Sequence, residues 1–258
     1  MTRLRLALLT VALALVPSVG TAAVPQLMHG HPARLMTSLD RGAAYSTNWS
    51  GYAAEQASTT FTDAKGTWVQ PTAACTTKSR QYASFWVGLD GYNSNSVEQI
   101  GTDSDCSGRN RPVYYAWYEM YPAPPVNLSL AIHPGDTVSA EVSASGSTFT
   151  LTISNLTTGA TFTTTQTSAT AVLSSAEWVA EAPSSCSIFR CSVLPLANFG
   201  RADFSGSYTT GDGYTGSISD PAWKNDQITM VTNGGTIKAL PSALSPDGTS
   251  FSVTWKHS

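Results

Sequence analysis

From Tyr45 onward no stretch longer than about ten residues carries a helical period. Short runs rich in aromatic and β-branched residues follow one another instead: Gly66-Thr67-Trp68-Val69, Tyr82 to Leu89, Tyr114 to Tyr121 and Thr137 to Ala144. Phe149, Leu151 and Ile153 alternate with Thr148, Thr150 and Thr152, the pattern of a half-buried strand. Asn155-Leu156-Thr157-Thr158-Gly159 then supplies a turn into Ala160–Gln166, which predicts a hairpin. A chain patterned in this way can bury its apolar side chains only by packing sheet on sheet. The expected fold is all-β, a two-sheet antiparallel β-sandwich of the concanavalin or jelly-roll kind.

The first residues do not belong to that domain. Arg3 and Arg5 precede an apolar run from Leu6 to Val16, and Thr21-Ala22-Ala23 offers small residues for cleavage. Residues 1–23 therefore read as a secretory signal peptide, too short in its apolar part to span a membrane. Residues 24–44 read as a pro-segment or loose N-terminal arm, and residues 45–258 as a single domain without internal repeat. The expected location is secreted, the expected state a monomer, and no membrane partner is implied. Four cysteines remain, Cys75, Cys106, Cys186 and Cys191, which allow three pairings. Cys75–Cys106 with Cys186–Cys191 is the expected set because each bond closes a local loop.

Composition and histidine placement exclude much chemistry. Loss of Arg3 and Arg5 with the leader takes the formal charge from −3 to −5, a poor match for nucleic acid. Charged residues make up only 12% of the chain, so few like charges accumulate when carboxylates protonate, which suits an acidic milieu. His29 and His31 lie in the arm and His257 next to the end, which leaves His133 alone in the domain, inside the turn sequence His133-Pro134-Gly135-Asp136. A Ser–His–Asp triad thus lacks its base, no histidine cluster offers metal ligands, and oxidised cysteines leave no thiol nucleophile. No glycine-rich phosphate loop is present, and no cofactor is implied. Asn48, Asn127 and Asn155 open Asn-x-Ser/Thr sequons without further assignment. Carboxylate and amide chemistry is what remains.

The carboxylates gather among aromatics. Strand alternation puts Trp117, Glu119 and Tyr121 on one face, and likewise Glu177, Val179 and Glu181. Such acids are costly to bury without partners and mark places where chemistry tends to sit.

Seven segments in order resemble the glutamic peptidases, the eqolisins, a family of secreted acid endopeptidases. They are Ser46-Thr47-Asn48-Trp49-Ser50-Gly51, Gly66-Thr67-Trp68-Val69-Gln70-Pro71, Phe85-Trp86-Val87-Gly88-Leu89-Asp90-Gly91 and Glu98-Gln99-Ile100-Gly101. The others are Ala116-Trp117-Tyr118-Glu119-Met120-Tyr121-Pro122, Ala176-Glu177-Trp178-Val179-Ala180-Glu181 and Asn198-Phe199-Gly200. The resemblance implies a polypeptide substrate and Gln99 with Glu181, not Glu177, as the catalytic pair; Glu177, on the same strand face, reads as a structural acid or a support to its neighbours. It further implies that Trp86, Asp90, Asp103, Trp117, Glu119 and Tyr121 line the substrate cleft. The chain departs from the family pattern at Glu98, where a hydrophobic residue is usual, and at Ala182-Pro183, where an acid and an aromatic are usual.

The expected chemistry is coherent on its own terms. A glutamate can deprotonate water and return the proton to the leaving nitrogen, while a side-chain amide donates to the oxyanion. Two other classes fit parts of the pattern. A glycosidase would use Glu119 and Glu181 as a pair and Trp86 and Trp117 as sugar platforms, but gives Gln99 no task. A non-catalytic carbohydrate- or protein-binding sandwich would leave the whole cluster structural. Finally, the arm holds Arg34, Arg41, His29 and His31 against the single acid Asp40, so it is expected either to lie across an acidic cleft as a cover or to be a plain linker.

Overall fold

Along Thr148–Asn155 every second side chain is buried, as the alternation of Phe149, Leu151 and Ile153 predicts, and Ala160–Thr167 returns beside it in register from Thr148↔Thr167 to Asn155↔Ala160. The computed structural model describes residues 26–29, 36–37, 43–186 and 191–258. The leader over residues 1–23 lies outside the described residues, as do His31, Arg34, Asp40 and Arg41 of the arm. Every regular element among the described residues is a strand, and nearly every pairing is antiparallel.

The strands are numbered in chain order and fall into two layers. One layer runs β9 (Val126–Asn127), β8 (Pro112–Tyr121), β7 (Val97–Cys106), β6 (Ser84–Leu89), β13 (Ser175–Glu181) and β4 (Trp49–Glu55). It continues through β18 (Lys224–Val231) to β3 (Ala43–Ser46), the parallel pair, and β2 (Met36–Thr37). The other layer runs β19 (Ile237–Pro241), β20 (Phe251–Trp255), β16 (Arg201–Gly211), β5 (Phe61–Val69), β10 (Thr137–Ser145), β11 (Thr148–Asn155) and β12 (Ala160–Thr167). β17 (Tyr214–Ser217) folds back on β16. Because β18 also pairs with β19, the two layers are joined edge to edge as one bent sheet. A small separate sheet sets β1 (Gln26–Met28) against β14 (Ser184–Cys186), which pairs in turn with β15 (Cys191–Val193).

Between the layers lies the main core, with Trp68, Phe85, Val87, Trp178 and Phe204 fully enclosed. Trp178 reaches across from β13, and its Nε1 donates to the Lys65 carbonyl on β5 at 2.7 Å. The opposite face of the first layer carries a second apolar cluster of Trp49, Trp86, Trp117, Val179 and Ile228. Alternation along β6, β7, β8 and β13 sends every other residue to that face, so polar residues interleaved with these tryptophans are pinned among them. Gly101 makes the crowding possible. It sits between Trp86 and Trp117 across the ladder, and a Cβ there would come within 2.6 Å of the Trp86 Cβ.

The two expected disulfides, Cys75–Cys106 and Cys186–Cys191, are both formed. His133 is a largely exposed turn residue, its amide donating to Asp136 Oδ2 at 2.8 Å.

Candidate active site

β7 and β8 present the densest group. Their register sets Gln99 opposite Glu119, Gly101 opposite Trp117 and Asp103 opposite Tyr115. All of Gln99, Asp103, Trp117 and Glu119 are fully buried. Trp117 Nε1 donates to Asp103 Oδ1 at 2.6 Å, which fixes the indole plane. The Tyr115 hydroxyl lies 2.8 Å from Asp103 Oδ2 and 3.0 Å from Asp105 Oδ2. A hydroxyl carries one proton and cannot satisfy two anions at once. Burial first, and then the charge of Asp103, pushes the Asp105 carboxyl well above its ordinary range, so Asp105 can supply the second proton. Burial likewise raises Glu119.

Glu181 closes the group from β13. Its register row runs through Ser84 of β6 to Asp103 of β7. The carboxylate is fully buried and held by two donors, Trp86 Nε1 at 2.8 Å and Asn48 Nδ2 at 3.2 Å. Asn48 is itself positioned by the turn after β3, where Ser46 Oγ donates to its Oδ1 at 2.9 Å. Tyr121, half-buried, packs against the apolar cluster to which Trp86 and Trp117 belong. Glu177 has other surroundings. Burial, then the charges of Asp90 and Glu98, holds its carboxyl well up, while Ser175 and the Tyr92 amide oppose this.

Asp90 does not join the group. It ends β6 in a left-handed turn, with φ of 68°, and its carboxylate is used by the loop before β13. The amides of Val172, Leu173 and Ser174 each donate to it at 2.8 Å, and the Ser174 hydroxyl adds a fourth bond at 3.0 Å. The expected cleft residue is thus placed as a loop anchor. Glu98 points to the face opposite Gln99, and burial raises its pKa to about 7.

One residue of the site was expected there only if the arm lies across the acidic cleft. The arm enters with β1 paired along β14, Leu27 opposite Ser185 and Met28 opposite Ser184, and delivers His29 onto Trp117. The two rings stack at 3.7 Å with 9° between their planes. The His29 amide donates to Glu119 Oε2 at 2.7 Å, and its Nε2 lies 3.3 Å from Asp103 Oδ2. Gln99 Nε2 donates to the His29 carbonyl at 2.6 Å. A backbone carbonyl is thereby presented to a buried amide donor. His29 had been set aside as a catalytic base and named with the arm as a cover over an acidic cleft or part of a plain linker; nothing in its local spacing singles out partners 70 to 90 positions away. Asn48 had a signal, since it lies inside one of the seven segments.

Comparison with known proteins adds to this geometry. The sequence matches the Peptidase A4 family over residues 47–255. It is 34% identical over 150 residues to Aspergillopepsin-2 of Aspergillus niger, covering 55% of this chain and 51% of that protein. The matched part thus spans about half the length of that curated relative. Scytalido-glutamic peptidase, solved with a peptide-based transition-state analogue, superposes with a TM-score of 0.69 at 25% identity, covering 81% of this chain and 98% of the other. Aspergilloglutamic peptidase from Aspergillus niger superposes with a TM-score of 0.59 at 30% identity, covering 68% and 99%.

Proposed function

Since the chain belongs to the Peptidase A4 family, we propose that it is a secreted, acid-acting glutamic endopeptidase with Glu181 and Gln99 as its catalytic pair. The observation that supports this most is the His29 carbonyl held 2.6 Å from Gln99 Nε2, on the sheet face to which strand register also assigns Glu181. In the proposed reaction Glu181 takes a proton from water, and the hydroxide adds to the peptide carbonyl carbon. Gln99 Nε2–H donates to the oxygen as it becomes negative, a contribution worth about 3 kcal/mol at comparable sites. Glu181 then returns the proton to the amide nitrogen, the C–N bond breaks, and a carboxylate and an amine leave. Trp86 and Asn48 aim the Glu181 carboxylate through its two oxygens. A carboxylate base remains usable where an ordinary histidine is already protonated, which favours acid. Secretion is supported by the leader pattern and by two disulfides, which persist in oxidising compartments.

The test is hydrolysis of a denatured protein at about pH 3 to 5, where histidine bases are protonated. Glu181→Gln and Gln99→Ala should each abolish hydrolysis while melting as the parent does, and the double variant should be little worse than either. Retention by Glu181→Gln of more than about a twentieth of the activity would sink the assignment, because loss of one member of such a unit costs orders of magnitude.

A further inference from the structure

A lysine is seldom buried unless an acid pairs with it, yet Lys238 of β19 is only 7% exposed. Strand alternation sends its neighbour Ala239 into the main core and Lys238 to the opposite face. There it lines a cavity of about 590 Å³, together with the apolar Val193 and Pro195 and the polar Ser192, Thr232 and Asn233. Among the described residues no carboxylate lies within ion-pair distance of its ammonium, that of Ser258 on the cavity wall included. Burial alone lowers its pKa to about 8, with no neighbouring charge to offset the cost. An unpaired cation therefore stands at the edge of a space large enough to take a ligand.

We propose that Lys238 and this cavity bind an organic monocarboxylate, with the carboxylate on the ammonium and an apolar body against Val193 and Pro195. The inference is separate from the peptidase reading and stands without it. One cation balances one negative charge, so a phosphate dianion would keep a second charge unmatched away from water. Among the described residues no arginine lines the cavity, so the planar fork that suits phosphate is missing too. Ser192, Thr232 and Asn233 can donate to the second carboxylate oxygen or accept from a ligand amide. The volume is that of an ordinary small-molecule site, roughly 300–1,000 Å³. Thr47 lies on the wall and precedes Asn48, which holds Glu181, so the cavity borders the catalytic group without using its side chains. Two sources carry the required chemistry, the C-terminal end of a peptide and a free aliphatic acid.

The experiment titrates the full chain by calorimetry with N-acetyl-leucine as a peptide end, with hexanoate, and with N-acetyl-leucinamide, which has no charge. At about pH 6 the ammonium is protonated and both acids are ionised. At least one acid should bind about ten-fold or more tighter than the amide, the scale of a hydrogen bond between charged groups. Preference for N-acetyl-leucine marks a peptide end, and preference for hexanoate a free acid. Lys238→Met keeps the stem, drops the buried charge and should lose that margin. By linkage the same factor should raise the titration of Lys238, read by lysine carbon NMR, by about one pH unit at saturation. That measurement needs only the parent chain, so it still decides if the variant does not fold. Equal binding of acids and amide, equal binding of the acids by parent and Lys238→Met, or an unmoved Lys238 titration overturns the site.

Discussion

Glu181 can be both buried and poised because two neutral N–H groups point at it. Trp86→Phe keeps an aromatic ring and deletes one of them, a hydrogen bond to a charged group worth about 1.5–3 kcal/mol. Its expected effect is a fall in kcat of ten-fold or more with the chain still folded, read by steady-state kinetics beside a melting curve; unchanged kcat would show that the indole only packs. His29 gives a second readable signal. Its pKa rises from 6.5 free to about 10 when seated. Seating is therefore favoured fully below about pH 6.5 and loses this contribution as pH rises toward 10. Imidazole NMR of the catalytically inactive Glu181→Gln chain should show a protonated His29 at about pH 8, whereas titration near 6.5 would mean that the arm is unseated. Most of this site was legible in the sequence because strand alternation alone assigns Trp117, Glu119 and Tyr121 to one face. The seat of His29 was foreseen only as one of two fates for the arm, since its partners come from strands far along the chain, and the loop that the Asp90 carboxylate holds leaves no mark in strand alternation.

At the scale of elements, the connection from β12 to β13 hangs on Asp90. Asp90→Ala should release three amides and a hydroxyl together, costing about 3 kcal/mol and lowering the urea midpoint. A midpoint within error of the parent would remove Asp90 from its anchoring role. The β11–β12 hairpin was readable from its alternation and turn. β16 was harder, because its register shifts between Ser205 and Tyr208, and a bulge there breaks the period of two on which strand reading depends. β3 and β18, the parallel pair, offer no local turn to reveal them.

Over the whole molecule the two disulfides have unequal reach. Cys75–Cys106 closes a 31-residue separation and Cys186–Cys191 one of 5. Loop-closure entropy then assigns about 4 kcal/mol to the first and about 2 kcal/mol to the second. Replacing both cysteines of the long loop by serine should lower Tm more than doing so in the short loop, and the reverse order would show that native contacts rather than chain entropy set the difference. The joined layers also govern timing during synthesis. β5 gains β10 at mid-chain while its other edge waits for β16, β4 waits for β13 and then β18, and β3 lies against β18 as well. β4 therefore has no ladder to join until the last third of the chain exists, and such distant pairings close slowly. Closure of the first layer is thereby deferred until the chain is nearly complete, and a nascent chain stalled before Lys224 would leave the β18 side of β3 and β4 open, ready to pair with a neighbouring chain instead.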